Sequence, residues 1–281
     1  MSKKVVLITG ATAGIGLETA LELARRGMTV NFIARDKSKA EETKRLLAEG
    51  GSSDSQYFIA DFSSQKSIRT AALQIKQTLP VIDVLINNAG GVNSEFELTE
   101  DGLEKTIATN HFAYFLLTNL LLEQIKKSDY ARIINVASGS HYQGKINFES
   151  FTQNKGYFIM TAYGQSKLAN VLFTNELARR LAGTHVTVNS LHPGMVVTKI
   201  GDKNTNGLAA FVWNLATKIG GIKVQKGAET SVFLATSDKV KGVSGKYFDK
   251  SREKKPSKLA LDVNLQKQLW EVSEKLCPIN A

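Results

Sequence analysis

Val5-Val-Leu-Ile-Thr9-Gly10-Ala-Thr12-Ala-Gly14-Ile15-Gly16 is the stretch whose reading decides the fold. Five β-branched or apolar residues run straight into a glycine-rich turn, and a helical pattern begins directly behind it. A glycine-rich turn between a strand and a helix is where a dinucleotide pyrophosphate meets helix N–H groups. The spacing is Gly10-x-x-x-Gly14-x-Gly16 rather than the commoner G-x-G-x-x-G, so its position after the first strand carries the reading. Gly10 permits the tight turn, and Gly14 and Gly16 let backbone and helix approach the pyrophosphate.

Outward from this turn, apolar runs alternate with helical patterns. Val5–Thr9, Thr29–Ala34, Gln56–Ala60, Val84–Asn87, Arg132–Ala137 and Val186–His192 read as strands. Ile15–Arg26, Lys37–Gly50, Ser64–Leu79, Gly102–Lys127 and Tyr163–Ala182 carry apolar residues at helical spacing. A helix over Gly227–Thr236 and a short strand over Gly245–Phe248 close the series. Strands apolar nearly throughout are buried on both faces, as in a parallel sheet covered by helices. The expectation is one α/β domain over 1–281, with a doubly wound, mostly parallel, Rossmann-like sheet. Two segments depart from the alternation, His141–Thr161 and Met195–Lys226. Within the second, the apolar stretch 208–216 reads as a substrate lid, an interface or a membrane-touching surface.

Composition narrows the classes further. A chain of 281 residues, 42% of them apolar, has enough material for one large domain with a two-layered core. Cys277 is the only cysteine, and His111, His141, His185 and His192 lack helical metal-site spacing, so neither an intrachain disulfide nor a metal is expected. Met1–Ile8 runs into a strand without a signal peptide, and no run reaches about 18 apolar residues. A cytoplasmic protein without an integral membrane anchor is therefore expected. The net charge of +10 is spread along the chain except in Lys250-Ser-Arg-Glu-Lys-Lys255 and reads as wetted surface, not as a nucleic-acid site.

The end of the second strand, Ile33-Ala34-Arg35-Asp36, bears on cofactor choice. An acid there would bond a ribose 2′-hydroxyl, and an arginine would accommodate a 2′-phosphate. Ala34 brings no carboxylate, Arg35 follows it, and Asp36 reads as the cap of the next helix, so NADP (as NADPH) is favoured over NAD. Asp61-Phe62, ending the third strand, would suit an adenine edge and face. Tyr163 and Lys167 stand at i, i+4 on one helix face. A neighbouring ammonium lowers the pKa of a phenol from its ordinary ~10 and makes it an acid–base group. Asn87-Asn88-Ala89-Gly90, Asn110 and Ser138 fall at or beside carboxyl ends of strands, where open α/β sheets bind ligands.

Taken in order, these motifs and Pro193-Gly194 resemble the classical short-chain dehydrogenase/reductase superfamily over essentially the whole chain. Arg132–Ser138, Ser166–Phe173, His192–Gly194, Gly245–Phe248, Gln268–Ser273 and the 25-residue interval from Ser138 to Tyr163 resemble its retinol dehydrogenase-like branch. The resemblance implies that Tyr163 is the general acid in reduction and the base in oxidation. It implies that Lys167 holds the nicotinamide ribose, that Ser138 bonds the substrate oxygen, and that Asn110 positions a water. It also assigns cofactor contacts to Gly10, Thr12, Gly14, Ile15, Gly16, Arg35, Asp61, Phe62, Asn88, Ala89, Gly90, Tyr163, Lys167, Pro193, Gly194 and Thr198. The substrate is expected to be a small hydrophobic carbonyl or alcohol, with Phe148, Phe151, Phe158, Phe211 and Trp213 as apolar wall candidates. Relatives pair through the helices beginning near Gly102 and Tyr163, which implies a homodimer or homotetramer. The other class these residues admit is a catalytically silent NADP-sensing protein, against which stands the presence of both Tyr163 and Lys167.

Overall fold

Strands form where the apolar runs place them in the computed structural model, which describes residues 3–194 and 224–279. Thr198, the stretch 208–216 and nearly all of the expected lid lie outside the described residues. The strands are β1 (Val5–Thr9), β2 (Thr29–Ala34), β3 (Tyr57–Ile59), β4 (Val84–Asn87), β5 (Arg132–Val136), β6 (Thr187–His192) and β7 (Lys246–Asp249). They pair in parallel in the order β3-β2-β1-β4-β5-β6-β7. A two-residue strand, β8 (Arg252–Glu253), returns antiparallel on β7. The chain moves outward one way from β1 and then the other, so β1 and β4 flank the point where the order reverses.

The helices are α1 (Gly14–Arg25), α2 (Lys37–Glu49), α3 (Gln65–Thr78), α4 (Lys105–Ile107), α5 (Ala113–Leu120), α6 (Leu122–Lys126), α7 (Ile159–Arg180), α8 (Val224–Thr236) and α9 (Val263–Leu276). Alternation within the strands divides the core into two layers. Val6, Ile8, Val84, Ile86 and Ile134 pack with Leu23 and Ala24 of α1 and Val232 and Ala235 of α8. Leu7, Leu85 and Ile133 face the other way, against Ile75 of α3, Phe115 of α5, Leu168 and Leu172 of α7 and Trp270 of α9. Each Val, Leu, Ile or Phe among them, fully buried, contributes about 1.5–3 kcal/mol.

Two helices of the site differ most from the sequence reading. The helix expected over Gly102–Lys127 is broken into α4, a π-helical turn at Ala108–Phe112, α5 and α6. Glu104 starts this run by accepting from Thr106 N and Ile107 N, and the wide turn lets Asn110 bond a loop outside its own helix. Apolar spacing does not reveal such a turn, because one inserted residue barely shifts the buried face. The other difference is that α7 begins at Ile159, so Tyr163 lies in its second turn rather than at its end.

β1 and β4 are joined beyond their ladder. Thr9 Oγ1 accepts from Asn88 N at 2.8 Å and from Ala89 N at 2.9 Å, and Asn88 Nδ2 donates back to Thr9 O at 2.9 Å. Thr9→Val keeps the shape but strands two amide donors, at about 1–3 kcal/mol each. Urea denaturation is expected to show Thr9→Val losing more than about 2 kcal/mol, while Thr9→Ser, which keeps the acceptor, loses less than half of that.

Candidate active site

The glycine turn holds the backbone conformation that only glycine adopts easily. Gly10 has φ 70° and Gly14 φ 57°. At Gly16 the constraint is contact: an added Cβ would stand 2.2 Å from Gly10 O and 2.4 Å from Asn88 Nδ2. Helix α1 therefore presses onto the turn from which it springs. Its first turn also differs from those of α2, α3 and α9. Asp36, Ser64 and Asp262 cap α2, α3 and α9 with side-chain oxygens, whereas Ala13 at the head of α1 offers no cap and no acid follows in the first turn. Among the described residues, the leading N–H groups of α1 are thus left without a side-chain acceptor at the reversal point of the sheet. That suits a dinucleotide pyrophosphate, and Thr12 and Ile15 lie on the same turn.

Around this turn the expected cofactor residues divide. Asn88 ties Gly10 O and Thr9 O, and Ala89 packs on Gly10, where an added Cβ would stand 2.9 Å from Ala89 Cα. Both residues therefore shape the cradle. Arg35 is exposed directly after buried Ala34 at the end of β2. The Asp36 carboxylate accepts from Lys39 N at 2.9 Å, the capping role expected of it. Asp61 accepts from Ser63 N and Ser63 Oγ through one oxygen, Oδ1. Phe62 departs from the expectation of a ring offered to an adenine: it is largely buried, in the core layer that includes Phe58, Ile68 and Ala71. Pro193 and Gly194 follow β6, with Gly194 at φ 86°.

At the neighbouring strand ends the four expected catalytic side chains converge. Asn110, buried in the π-helical turn, accepts from Gly91 N at 2.8 Å and donates to Gly91 O and to Ser166 Oγ, each at 2.9 Å. Ser166 Oγ in turn donates to Tyr163 O at 2.8 Å. Both Asn110 amide hydrogens are thereby committed to protein, and only a lone pair of Oδ1 remains for a water hydrogen. A Cβ added at Gly90 would lie 2.9 Å from Asn110 Oδ1 and 3.6 Å from Lys167 Nζ, so loop, Asn110 and Lys167 meet there. Lys167 is buried and its ammonium donates to Val136 O at 3.2 Å. Ser138, just past β5, hydrogen-bonds the Tyr163 phenol.

Electrostatics correct one expectation. Lys167 Nζ lies 5.6 Å from the Tyr163 ring centroid, yet the phenol is not lowered in the protein alone. Burial raises it, and the Ser138 hydrogen bond offsets part of that rise. Burial also pushes the Lys167 ammonium down to about 8. Charge that favours the phenolate must therefore compete with desolvation of both groups.

Of the apolar wall candidates, Phe151 is fully buried and Phe148 packs against the core, so both support the fold. Phe158, just before α7, is exposed, and Phe211 and Trp213 lie outside the described residues. The sequence left two side chains at the site without a role. His141 and His192 both bond the peptide after Ser138, and only their proximity in sequence to Ser138 and Pro193 could have pointed to them.

Comparison with known proteins agrees with this geometry. The short chain dehydrogenase family matches residues 4–208. Retinol dehydrogenase 14 of Mus musculus is 42% identical, over 99% of this chain and 87% of its own. Among solved structures, an uncharacterized protein from Mycobacterium paratuberculosis superposes with TM-score 0.79 at 35% identity, covering 98% of this chain and 94% of that one. The Pseudomonas aeruginosa RhlG/NADP active-site complex gives TM-score 0.69 at 26% identity, over 88% and 94% of the two chains. A glycine turn, an Asn-Asn-Ala-Gly loop and a Ser–Tyr–Lys cluster in this order, matched over this length, place the chain in the short-chain dehydrogenase family.

Proposed function

We propose that this protein is an NADP-dependent oxidoreductase that interconverts an alcohol and an aldehyde or ketone, and that it acts as a carbonyl reductase on hydrophobic substrates. The observation carrying the proposal is the meeting of Ser138, Tyr163 and Lys167 beside a helix start whose N–H groups no side chain among the described residues caps. Bound nicotinamide supplies the hydride in reduction and accepts it in oxidation. Tyr163 gives its phenolic proton to the substrate oxygen as negative charge develops there. Ser138 donates a hydrogen bond to the same oxygen and stabilises that charge. Lys167 holds the ribose hydroxyls and favours the phenolate that Tyr163 leaves behind. Asn110 braces the Asn88–Gly91 loop against α7 and receives a water through which the proton is replaced.

Arg35 is the group for a 2′-phosphate, since Ala34 has no carboxylate and Asp36 is engaged at the head of α2. Pro193, Gly194 and Thr198 would take the nicotinamide end. A cytoplasmic setting, where NADP is held mostly reduced, favours the reductive direction. Relatives named retinol dehydrogenases make retinaldehyde a first member of any substrate panel.

Aldehydes, ketones and alcohols assayed with both nicotinamide cofactors test the reading through cofactor absorbance. Turnover with a hydrophobic aldehyde and NADPH is expected, and no turnover with any pair would sink the proposal. Arg35→Ala should raise KM for NADPH about 10-fold or more while leaving NADH little changed, the loss of one charge-assisted hydrogen bond. A wild-type preference for NADH would refute the assignment of Arg35.

Tyr163→Phe should lower kcat about 100- to 10,000-fold, the span of general acid catalysis, with NADPH affinity retained by titration. A silent sensor would keep its cellular effect in that variant, whereas an enzyme would lose it. The pH profile gives an independent reading. Lys167 carries its charge below about 8 and loses it above, so kcat/KM for NADPH should fall as pH rises through that value. Lys167→Arg keeps a cation throughout, and its weaker activity should lack that alkaline limb.

A further inference from the structure

The peptide unit between Ser138 and Gly139 is gripped at both ends by histidine. Ser138 is extended, at φ −163° and ψ 160°, and the chain then enters a 3-10 turn over Gly139–Tyr142. Ser138 O accepts from His141 Nδ1 at 2.7 Å. A carbonyl only accepts, so the His141 proton is on Nδ1 and its bare Nε2 accepts from Ser257 N at 3.2 Å. The other end of the same peptide, Gly139 N, donates to His192 Nδ1 at 3.1 Å, which places the His192 proton on Nε2. An added Cβ at Gly139 would lie 3.3 Å from His192 Nε2, so the imidazole rests against the glycine.

Apart from these contacts, the described residues hold this peptide only by the turn's own bond from His141 N to Ser138 O at 3.2 Å. Rotating a peptide plane changes ψ of the residue before it and φ of the one after, and glycine at 139 presents little resistance. Ser138 Oγ is two bonds from the Cα on which that peptide turns and must face both Tyr163 and the substrate oxygen. The two rings are held in turn. His141 is fully buried, with its ring centroid 4.0 Å from that of Tyr142 and 4.6 Å from that of Tyr247. Tyr142 OH donates to Lys255 O at 2.7 Å. The chain reaches Lys255 and Ser257 through the β7–β8 turn, where Lys250 and Ser251 have φ 51° and 58°, an uncommon conformation for residues with a Cβ. Ser251 N donates to Thr230 Oγ1 of α8 and fixes that turn. His192 has Asp249, Lys250 and Lys254 for charged neighbours and is kept neutral by its burial.

We propose that His141 and His192 are positioning residues that lock the Ser138–Gly139 peptide, with the basic segment Lys250–Ser257 anchoring the lock. The proposal rests on Ser138 bonding the substrate oxygen, as argued above. It gives a structural task to a charged stretch that reads, in sequence, as plain solvated surface. Burial also pushes His141 down to about 4, so its ring stays uncharged throughout the neutral range.

The test uses the full chain, NADPH and the best carbonyl substrate of the panel. His141→Phe and His192→Leu should each lower kcat about 10- to 100-fold, as a small misplacement of a reacting group does. NADPH affinity, measured by fluorescence titration, should stay within about 2-fold. His141→Asn keeps the donor and His192→Asn keeps the acceptor, so both should recover most of the rate. In a Ser138→Ala background neither His141→Phe nor His192→Leu should cost more than a further ~2-fold in kcat, because both act through Ser138. An undiminished further loss in that background, or wild-type kcat in the single variants, overturns the inference. Wild-type kcat in Ser138→Ala instead refutes the role of Ser138 itself. Nitrogen NMR of the wild-type histidines needs no variant to fold: His141 should be the Nδ1–H tautomer and His192 the Nε2–H tautomer. The opposite tautomer in either ring overturns the lock.

Discussion

The hydroxyl of Thr9 is the constraint on which the site depends. In a doubly wound sheet the turns after β1 and β4 leave in different directions, and the strand ladder does not govern what lies beyond it. Thr9 receives two main-chain N–H groups from the β4 side, and Asn88 returns hydrogen bonds to the β1 side. The glycine turn and the Asn88–Gly91 loop thereby become one rigid piece. The pressure of α1 on Gly10 O and of Gly10 on Ala89 follows from that closeness and excludes side chains there. Asn110 then transfers the position of the loop to α7 through Ser166. The active-site geometry is thus inherited from strand ends rather than assembled by flexible segments.

Lys167 sets the electrostatic conditions at this junction. A buried ammonium is unfavourable unless acceptors surround it, and here Val136 O at 3.2 Å is shared with Asn170 Nδ2 at 3.4 Å. Beneath it a buried polar chain crosses the sheet: Asn87 donates to Asn135 and Thr118, and Asn135 donates to Thr174. Such polar cores cost stability relative to apolar packing, and they recur where function requires a local rule to be broken. The lowered pKa of Lys167 and the raised pKa of Tyr163 record the same strain from two sides. Charge on a bound cofactor or substrate is what such a pair is suited to answer.

Much of this was legible in sequence because the signals were local. Continuous apolar runs marked β1, β2, β4, β5 and β6 nearly to the residue, and Ala34-Arg35-Asp36 foretold the Asp36 cap. What escaped the reading depends on long-range packing. The Phe62 ring is indistinguishable in sequence from a ring facing a ligand until it is seen to lie in the core layer. The π-helical turn around Asn110 is specified by contacts to Gly91 and Ser166, 19 and 56 residues away. Spacing of Tyr163 and Lys167 predicts their adjacency, but desolvation depends on everything packed around them, so the direction of the Tyr163 shift could not be read from i, i+4 alone. His141 and His192 lie 51 residues apart and meet the same peptide only because β5 and β6 are neighbours.

Helix α7 shows why an enzyme of this design carries its Tyr–Lys pair on so buried an element. Every residue from Gly164 to Thr174 is buried, so the helix lacks the polar face of an ordinary surface helix. One side lies on the sheet, and the other is covered by α9, where Trp270 stacks on Phe173 at 5.9 Å and lies under Arg180 at 4.1 Å. Glu176, fully buried, is paired with both Arg179 and Arg180, which neutralises the carboxylate at the rim of this contact. His111, next to Asn110, bonds Ser273 of α9 at 2.9 Å, so α9 also braces the π-helical turn. A helix enclosed in this way has few alternative positions, because a packed interior resists small displacements. Tyr163 and Lys167 can therefore be held in a costly electrostatic arrangement by packing far larger than the site, and the C-terminal helix, remote from any reacting atom, is part of what keeps them there.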